Sequence, residues 1–380
     1  MTGGKQIRVL HLIGVMNCGG AENMLMNIFR QIDRQRICFD FLVHVREPAT
    51  GYFDAEILAL GGTIHYIPSQ GSIGLWNYIR QLKRFLIDHG PYDVVHCHMD
   101  WQGGFAALAA RQVGVKTIIV HAHTAALMNR SLPVRLLLPV AKWLARTCGT
   151  AHWGCSTAAC RFLFGNLPGQ RVIPNAIALN RYLNIDLAIR QQWRQNWGCN
   201  DNCLVLGHAG SFSPLKNQHF LIEIADLLHR RGINVRLIFA GNHDNDYGQA
   251  AKSKAEKLGL ANQVIFLGVR SDLPEILSAI DLFLFPSEFE GLGIVAVEAQ
   301  AAGRFCLFSP GIPPEVDMGL NLIRRMDNMD PQAWAEAILA TDPANPPAKE
   351  FIARQIQDRG FDIVQNAKKI ERFYLGEPAW

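Results

Sequence analysis

Two glutamates eight residues apart, Glu290 and Glu298, stand in the stretch "FPSEFEGLGIVAVEAQAAG" (285–303). The apolar run "DLFLF" (281–285) leads into it and the helix-forming run "IVAVEAQAA" (294–302) leads out, with Pro286, Ser287, Gly291 and Gly293 between them. This is the pattern of a strand–turn–helix junction. The first N–H groups of a helix lack intrahelical partners and carry partial positive charge, so such a junction suits a phosphate. Glycine at 291 and 293 lets backbone approach a ligand closely. Glu298, more than one turn into the helix, could accept hydrogen bonds from a sugar diol, and Glu290, at the turn, from a second sugar. Spacing alone equally fits a Glu290 that caps the helix and a solvated Glu298.

Three further stretches carry chemistry. In "GHAGSFSPLKNQHF" (207–220) a strand ends at Gly210, a turn holds Ser211 to Pro214, and Lys216 opens a helix. A lysine there suits a pyrophosphate, or is a solvated first-turn residue. In "MNCGGAEN" (16–23), Gly19 and Gly20 lead into a helix and form a candidate anion nest, or serve helix-start sterics. The spacing is not G-x-G-x-x-G and gives no dinucleotide fingerprint. "VVHCHMD" (94–100) supplies His96, His98 and Asp100, and "IVHAHTA" (119–125) supplies His121 and His123. A histidine pair with an Asp at a strand end can hold a divalent metal. The alternative is that strand alternation turns one histidine of each pair into the core. Asp244-Asn245-Asp246 offers a D-x-D for Mg²⁺, in a polar loop.

The elements that must position these residues are short apolar runs alternating with helical patterns. Strands are expected at 7–13, 39–45, 93–98, 117–123, 203–210, 235–241, 264–268, 282–287 and 306–309. Helices are expected at 19–32, 75–89, 101–113 and 217–231. Unbroken apolar strands separated by helices imply parallel sheets covered on both faces. Such sheets bind ligands beyond the C-terminal ends of their strands. The pattern pauses at "RVIPNAIALNRYLN" (171–184), where Pro174 and Asn175 mark a junction. The expected architecture is α/β, with two doubly wound Rossmann-like domains facing a cleft. The first spans 1–173 and the second 174–355, and a C-terminal helical segment, 356–380, returns to the first.

The 380 residues are 49% hydrophobic and 18% charged, as expected of a folded soluble chain of two domains. No apolar run approaches the ~20 residues that span a bilayer. The opening "MTGGKQIRVLHLIG" lacks a signal-peptide layout, and the nine scattered cysteines include no C-x-x-C. Both point to a cytoplasmic protein with reduced thiols. Residues 1–173 carry 17 Lys and Arg against 9 Asp and Glu, and residues 174–380 carry 20 against 24. In "NRSLPVRLLLPVAKWLARTC" (129–148), Arg135, Lys142 and Arg146 share a helical face while Leu136, Val140, Trp143 and Leu144 are apolar. Such a segment can lie on anionic lipid. Packing against the first sheet explains the apolar residues equally well.

These stretches together resemble the retaining glycosyltransferases of the GT-B fold, glycosyltransferase family 4. Its E-x7-E pattern reads here "PSEFEGLGIVAVEAQAAG" (286–303), preceded by "GGAE", "HAHT", "IPNAI", "PLKN" and "FLGVRSDLPEIL" in family order. The nearest likeness is to bacterial capsule and exopolysaccharide transferases. The resemblance implies that Glu298 binds the nucleotide ribose and Glu290 the donor sugar. Leu292 and Gly293 would offer N–H groups to the phosphates. Lys216 would neutralise the pyrophosphate without a metal, so no cofactor is expected. His123 would sit beside the transferred sugar, and Gly19 and Gly20 would line the cleft. The family usually has Arg immediately after the glycine matching Gly210, and Ser211 stands there instead. Either a cation such as Arg270 substitutes, or donor affinity or catalysis suffers.

The implied activity is transfer of a sugar from a nucleotide-sugar, with UDP favoured over GDP by analogy, to a lipid-linked glycan in surface polysaccharide synthesis. The first domain would bind the acceptor and the second the donor. Peripheral contact with the anionic inner membrane is expected at its cytoplasmic face, and a nucleic-acid partner is not. The alternatives are a catalytically impaired sugar-nucleotide-binding protein, a metal-dependent hydrolase built on the histidine pairs, and a sugar-nucleotide epimerase.

Overall fold

The computed structural model describes residues 6–44, 51–127, 131–200, 202–343 and 345–380. The last position of the expected strand 39–45, the first five residues, and Asn129 and Arg130 of the basic segment lie outside them. The chain divides into two compact units, Met1–Ala176 with Asp362–Trp380, and Ile177–Phe361.

The first unit holds strands β1 (Ile7–Leu12), β2 (Ile37–Val43), β3 (Thr63–Tyr66), β4 (Val94–Cys97), β5 (Thr117–Ala122), β6 (Ala151–Gly154) and β7 (Arg171–Val172). They form one sheet in the order β3-β2-β1-β4-β5-β6-β7, with every neighbouring pair parallel. The second unit holds β8 (Leu204–Ala209), β9 (Val235–Ala240), β10 (Val264–Phe266), β11 (Leu282–Phe285), β12 (Phe305–Phe308) and β13 (Ile323–Arg325). Their order is β10-β9-β8-β11-β12-β13, again all parallel. In each sheet the winding reverses once, between β1 and β4 and between β8 and β11. A doubly wound sheet opens a crevice at such a reversal, beyond the C-terminal strand ends. The loops after these four strands therefore occupy the ligand-binding positions.

Parallel strands need crossover helices, and each helix must bury a stripe. Helix Gln218–Arg230 does so with Leu221, Ile224, Ala225 and Leu228, at the spacing that keeps one face inward. These pack on Leu206, Leu237, Leu282 and Leu307 of the sheet, with Trp334 closing one side. Among the described residues, no helix is long and apolar enough to cross a membrane.

The unit boundaries have local causes. The Asn175 side chain donates to the Gly20 carbonyl at 3.1 Å, and Asn366 donates to the Pro174 carbonyl at 2.9 Å. Residues 174–176 thus join the first unit, beyond the expected cut after 173. Helix Lys349–Asp358 runs through the expected cut after 355 and buries Ile352 and Ile356. The division follows it, at Phe361, and Asp362 then caps helix Ile363–Tyr374 by accepting from the Val364 N–H.

Candidate active site

In the second unit, the loop after β8 and the loop after β11 are stitched together by the Glu288 N–H, which donates to the Leu215 carbonyl at 2.8 Å. After Gly210 the chain passes through a 3-10 turn, Pro214–Lys216, and Asn217 takes a left-handed conformation, φ +54°, to start the next helix. The Lys216 side chain reaches Glu290 Oε1 at 2.5 Å, with its ammonium 5.5 Å from the Phe285 ring centroid. The Glu290 side chain is only 9% exposed and that of Lys216 27%. Glu290 is thus an ion-pair partner, and helix Ile294–Ala301 begins without a side-chain cap. Gly293 sits at φ +79°, and a Cβ there would lie 2.9 Å from the Phe285 ring. Two constraints, backbone sign and ring proximity, therefore require glycine. Leu292 is buried beside it. The uncapped N–H groups of this helix, the Lys216 ammonium and the Glu290 carboxylate converge at the β8/β11 reversal.

Glu298 is half-buried and accepts from the Tyr182 hydroxyl at 2.5 Å, so it is not a solvated surface residue. Burial holds its carboxyl above the ordinary range, against the opposing effects of Tyr182 and the Arg181 charge. Tyr182 was not legible in the sequence. It lies in helix Asn180–Leu183, 116 residues before its partner. His208 and Gln218 were missed too. His208 is buried under the Gly210 turn and donates from Nδ1 to the Leu284 carbonyl at 2.9 Å. Burial lowers its pKa to about 4, so the ring is neutral. The buried Gln218 amide accepts from the Ser213 N–H at 3.3 Å and donates to the Ser211 carbonyl at 3.2 Å, pinning the turn that precedes Lys216.

Ser211 is exposed. Arg270, the suggested substitute cation, stands after β10, which is separated from β8 by β9. Its guanidinium is held by both Asp272 oxygens, at 2.8 and 2.5 Å. In the D-x-D, Asn245 caps helix Asp246–Lys257 by accepting from the Gly248 N–H at 2.8 Å, while Asp244 and Asp246 are exposed.

In the first unit, Gly19 and Gly20 begin helix Gly20–Gln31 at the C-terminal end of β1. Asn23 donates to the Gly19 carbonyl at 2.9 Å, and with the Asn175 bond to Gly20 this joins "GGAE" to "IPNAI". A Cβ on Gly19 would fall 2.2 Å from the Glu22 carboxylate, whose pKa burial raises. The histidine pairs require a correction. Positions i and i+2 of a strand share a face, so alternation cannot send one member inward and the other outward. His96, His98 and His121 are all buried, with His123 half-buried at the end of β5. His11 of β1, read from the sequence only as part of an apolar run, joins them.

Residues 19–176 match the family described as Glycosyl transferase 4-like domain, and residues 189–340 match Glycosyl transferases group 1. EpsF of Bacillus subtilis (strain 168), named as a glycosyltransferase, is 36% identical over 97% of this chain and 96% of its own. The capsular polysaccharide biosynthesis glycosyltransferase CapH of Staphylococcus aureus is 28% identical over 77% of this chain and 79% of its own. An Escherichia coli enzyme named UDP-Gal:alpha-D-GlcNAc-diphosphoundecaprenol alpha-1,3-galactosyltransferase is 24% identical over 80% of this chain and 79% of its own. Among solved structures, Anabaena Alr3699/HepE in complex with UDP superposes with a TM-score of 0.78 at 23% identity, covering 97% of this chain and 100% of its own. The same protein is also known with UDP-glucose. The junction with its paired Lys216 and Glu290 thus lies in a chain that belongs to the GT-B glycosyltransferases of the capsule and exopolysaccharide type.

Proposed function

We propose that this glycosyltransferase moves a sugar from a UDP-sugar to a lipid-linked glycan, with retention of anomeric configuration and without a metal. The observation that carries the donor assignment is the Lys216–Glu290 pair at the uncapped helix N-terminus. In this reading the donor pyrophosphate takes the ammonium from Glu290. The freed carboxylate accepts hydroxyls of the donor sugar, and the Leu292 and Gly293 N–H groups meet the phosphates. Glu298, held by Tyr182, takes the ribose. Positive groups placed where the leaving diphosphate gathers charge stabilise the transition state without reorganising. The diphosphate then assists deprotonation of the acceptor hydroxyl on the same face. The UDP and UDP-glucose complexes of HepE support the nucleotide. The E. coli relative, named for its diphosphoundecaprenol-linked acceptor, supports a lipid-linked acceptor.

Titration calorimetry separates the two carboxylates. Glu298→Ala is expected to weaken UDP and UDP-sugar alike, because both carry the ribose. Glu290→Ala is expected to spare UDP and weaken the sugar donor. Equal losses for both ligands in both variants would defeat the assignment. Ser211→Arg tests the missing cation. With Arg270 engaged by Asp272, the added guanidinium is expected to tighten UDP by a charge-assisted contact of about 1.5–3 kcal/mol. An unchanged Kd would show that the phosphate site is already filled.

The membrane proposal rests on exposed faces in the first unit. Helix Leu132–Cys148 leaves Leu136 68%, Val140 49% and Trp143 60% exposed, while Leu144 is buried. Of the expected basic face, Arg135 and Arg146 are exposed, whereas the Lys142 ammonium lies 4.0 Å from the centre of the Phe162 ring. Helix Leu75–His89 adds Trp76, 80% exposed, and Ile87, 67% exposed, with Arg80 and Arg84 between them. Helix Gly103–Gln112 contacts both. Aromatic and basic side chains on two helices that flank a third suit an anionic headgroup layer, at about 1 kcal/mol per basic residue. Replacing Arg80, Arg84, Arg135 and Arg146 by Gln is expected to abolish co-sedimentation with anionic liposomes and leave UDP affinity intact. Retained sedimentation would show that these faces do not dock.

A further inference from the structure

Five imidazoles share one face of the first unit's sheet in two hydrogen-bonded runs. In one, His11 Nδ1 lies 3.1 Å from His98 Nε2, and His98 Nδ1 lies 3.0 Å from His123 Nε2. In the other, the Tyr374 hydroxyl lies 2.7 Å from His96 Nδ1, and His96 Nε2 lies 3.2 Å from His121 Nδ1. The runs lean on each other, with ring centroids 4.1 Å apart at His96–His98 and 4.4 Å at His121–His123. His11 packs 4.2 Å from Phe39, and Trp153 meets His96 edge-on at 5.1 Å. Asp100 stands at the His123 end of the first run. Its Oδ1 accepts the backbone N–H groups of His123 and Thr124 at 2.6 and 2.9 Å.

A neutral imidazole has one donor and one acceptor nitrogen. In a run of neutral rings each link uses one of each, so the proton's position on one ring fixes it on all. The run His11–His98–His123 therefore has two polarities. Both leave one end with an N–H and the other with a bare nitrogen, and the two end atoms, His11 Nε2 and His123 Nδ1, are buried without a hydrogen-bond partner. His11 is sealed in the core at 0% exposure, where an unpaired N–H is costly to keep. His123 is half-buried at the C-terminal end of its strand, where ligands of such sheets bind, and its covered Nδ1 has to be uncovered for a substrate oxygen to satisfy an N–H there. The favoured polarity thus has His11 Nδ1–H donating to His98 Nε2 and His98 Nδ1–H donating to His123 Nε2. His123 then carries its proton on Nδ1.

We propose that His98 and His11 are positioning residues that lock His123 in the Nδ1–H tautomer, so that it donates a hydrogen bond to a substrate oxygen. This rests on the reading, implied by the family resemblance, that His123 stands beside the transferred sugar. The nitrogen pairs fit N–H···N bonds. The same nitrogens also fall into two groups within 4.8 Å of one another, His11–His96–His98 and His98–His121–His123, and a neutral imidazole is the form that ligates a divalent ion, so metal binding is the competing outcome that the test must separate.

Nitrogen-15 histidine spectra of the full-length protein test the proposal directly. His123 is expected to show a protonated Nδ1 and a bare Nε2, the latter scalar-coupled to His98 Nδ1 across the hydrogen bond. In His98→Leu the coupling is expected to vanish and the His123 nitrogens to average. Sugar transfer should fall roughly tenfold to a hundredfold in kcat, as when an orienting partner is lost, with UDP affinity unchanged. His98→Gln keeps one donor and one acceptor, and is expected to retain most of the turnover. His11→Phe, at the far end, serves if His98→Leu does not fold. Mixed His123 tautomers in the parent protein would overturn the proposal. So would equal losses in the Leu and Gln variants with unchanged His123 spectra, or stoichiometric zinc binding that removes the coupling. If His123→Ala transfers sugar normally, it is the placement beside the sugar that fails, while the tautomer measurement still stands on its own.

Discussion

Lys216→Ala is expected to lower kcat by about 10²–10³, the loss typical when one preorganised donor to a developing anion is removed. Lys216 is the cation that the fold brings to the β8/β11 reversal, held at Glu290 and above Phe285. UDP should bind about 1.5–3 kcal/mol more weakly, the range for hydrogen bonds to charged groups. Glu290→Gln makes the opposite case. It releases the ammonium from its partner, so UDP affinity is expected to hold or rise while turnover of the sugar donor falls. Calorimetry with UDP and single-turnover transfer rates read both variants. A Lys216→Ala enzyme within threefold of the parent rate would remove lysine from the mechanism.

Acidification from pH 7.5 to 5.5 is expected to destabilise the first unit by about 5 kcal/mol. Burial holds His11 down to about 3 and His96, His98 and His121 well below the ordinary value. The unfolded chain titrates near 6.5. Below that pH it binds more protons than the folded unit, so stability falls with pH until the folded values are reached. One pH unit below 6.5, each such ring costs about 1.4 kcal/mol. Glu22, raised by burial, partly offsets this, since the folded unit takes up its proton first. Asp40 is lowered, and its contribution is lost only at more acid pH. In the second unit only His208 is comparably buried among the described residues. Scanning calorimetry should therefore show the first unit's transition moving well ahead of the second's at pH 5.5. Superposable scans at the two pH values would mean that the rings are not held neutral.

Most central strands were legible because strands covered on both faces read as unbroken apolar runs, as in "CLVLGHAG" around β8. The strands β3, β6, β7 and β13 were not. Three of them, β3, β7 and β13, are edge strands with exposed positions, and β6, though paired on both sides, is the four residues "AHWG" with two positions only half-buried, too short and too mixed to read as a buried run. Glu290, Gly293 and Glu298 stood out because they fall at fixed spacing in one loop and helix start, and Lys216 because it opens a helix after another strand, 74 residues away from Glu290 in sequence; the roles expected of them came from the family resemblance and not from spacing. Tyr182 left no trace, because a contact across 116 residues has no periodicity. The histidine run was half legible. The H-x-H pairs stood out, but His11 is a single polar residue in "IRVLHLI", and its partners arrive from β4 and the end of β5. Pairing register, which local spacing does not encode, brings His11 opposite His96.

The helix Ile363–Tyr374 belongs to the unit that begins at the other end of the chain. In biosynthetic terms the second unit is an insertion, complete in sequence once Phe361 has been made. The first unit must wait for residues 362–380 to leave the ribosome. Until then Trp153 lacks Phe373 and Trp380, its ring neighbours at 4.9 and 5.8 Å, and His96 lacks the Tyr374 hydroxyl. Domains usually fold in order from the N-terminus during synthesis, and this connectivity inverts that order. The nascent first unit carries His96 and Trp153 without these partners through the whole translation of the second, and a chain stopped at Phe361 would release one finished unit joined to an unfinished one.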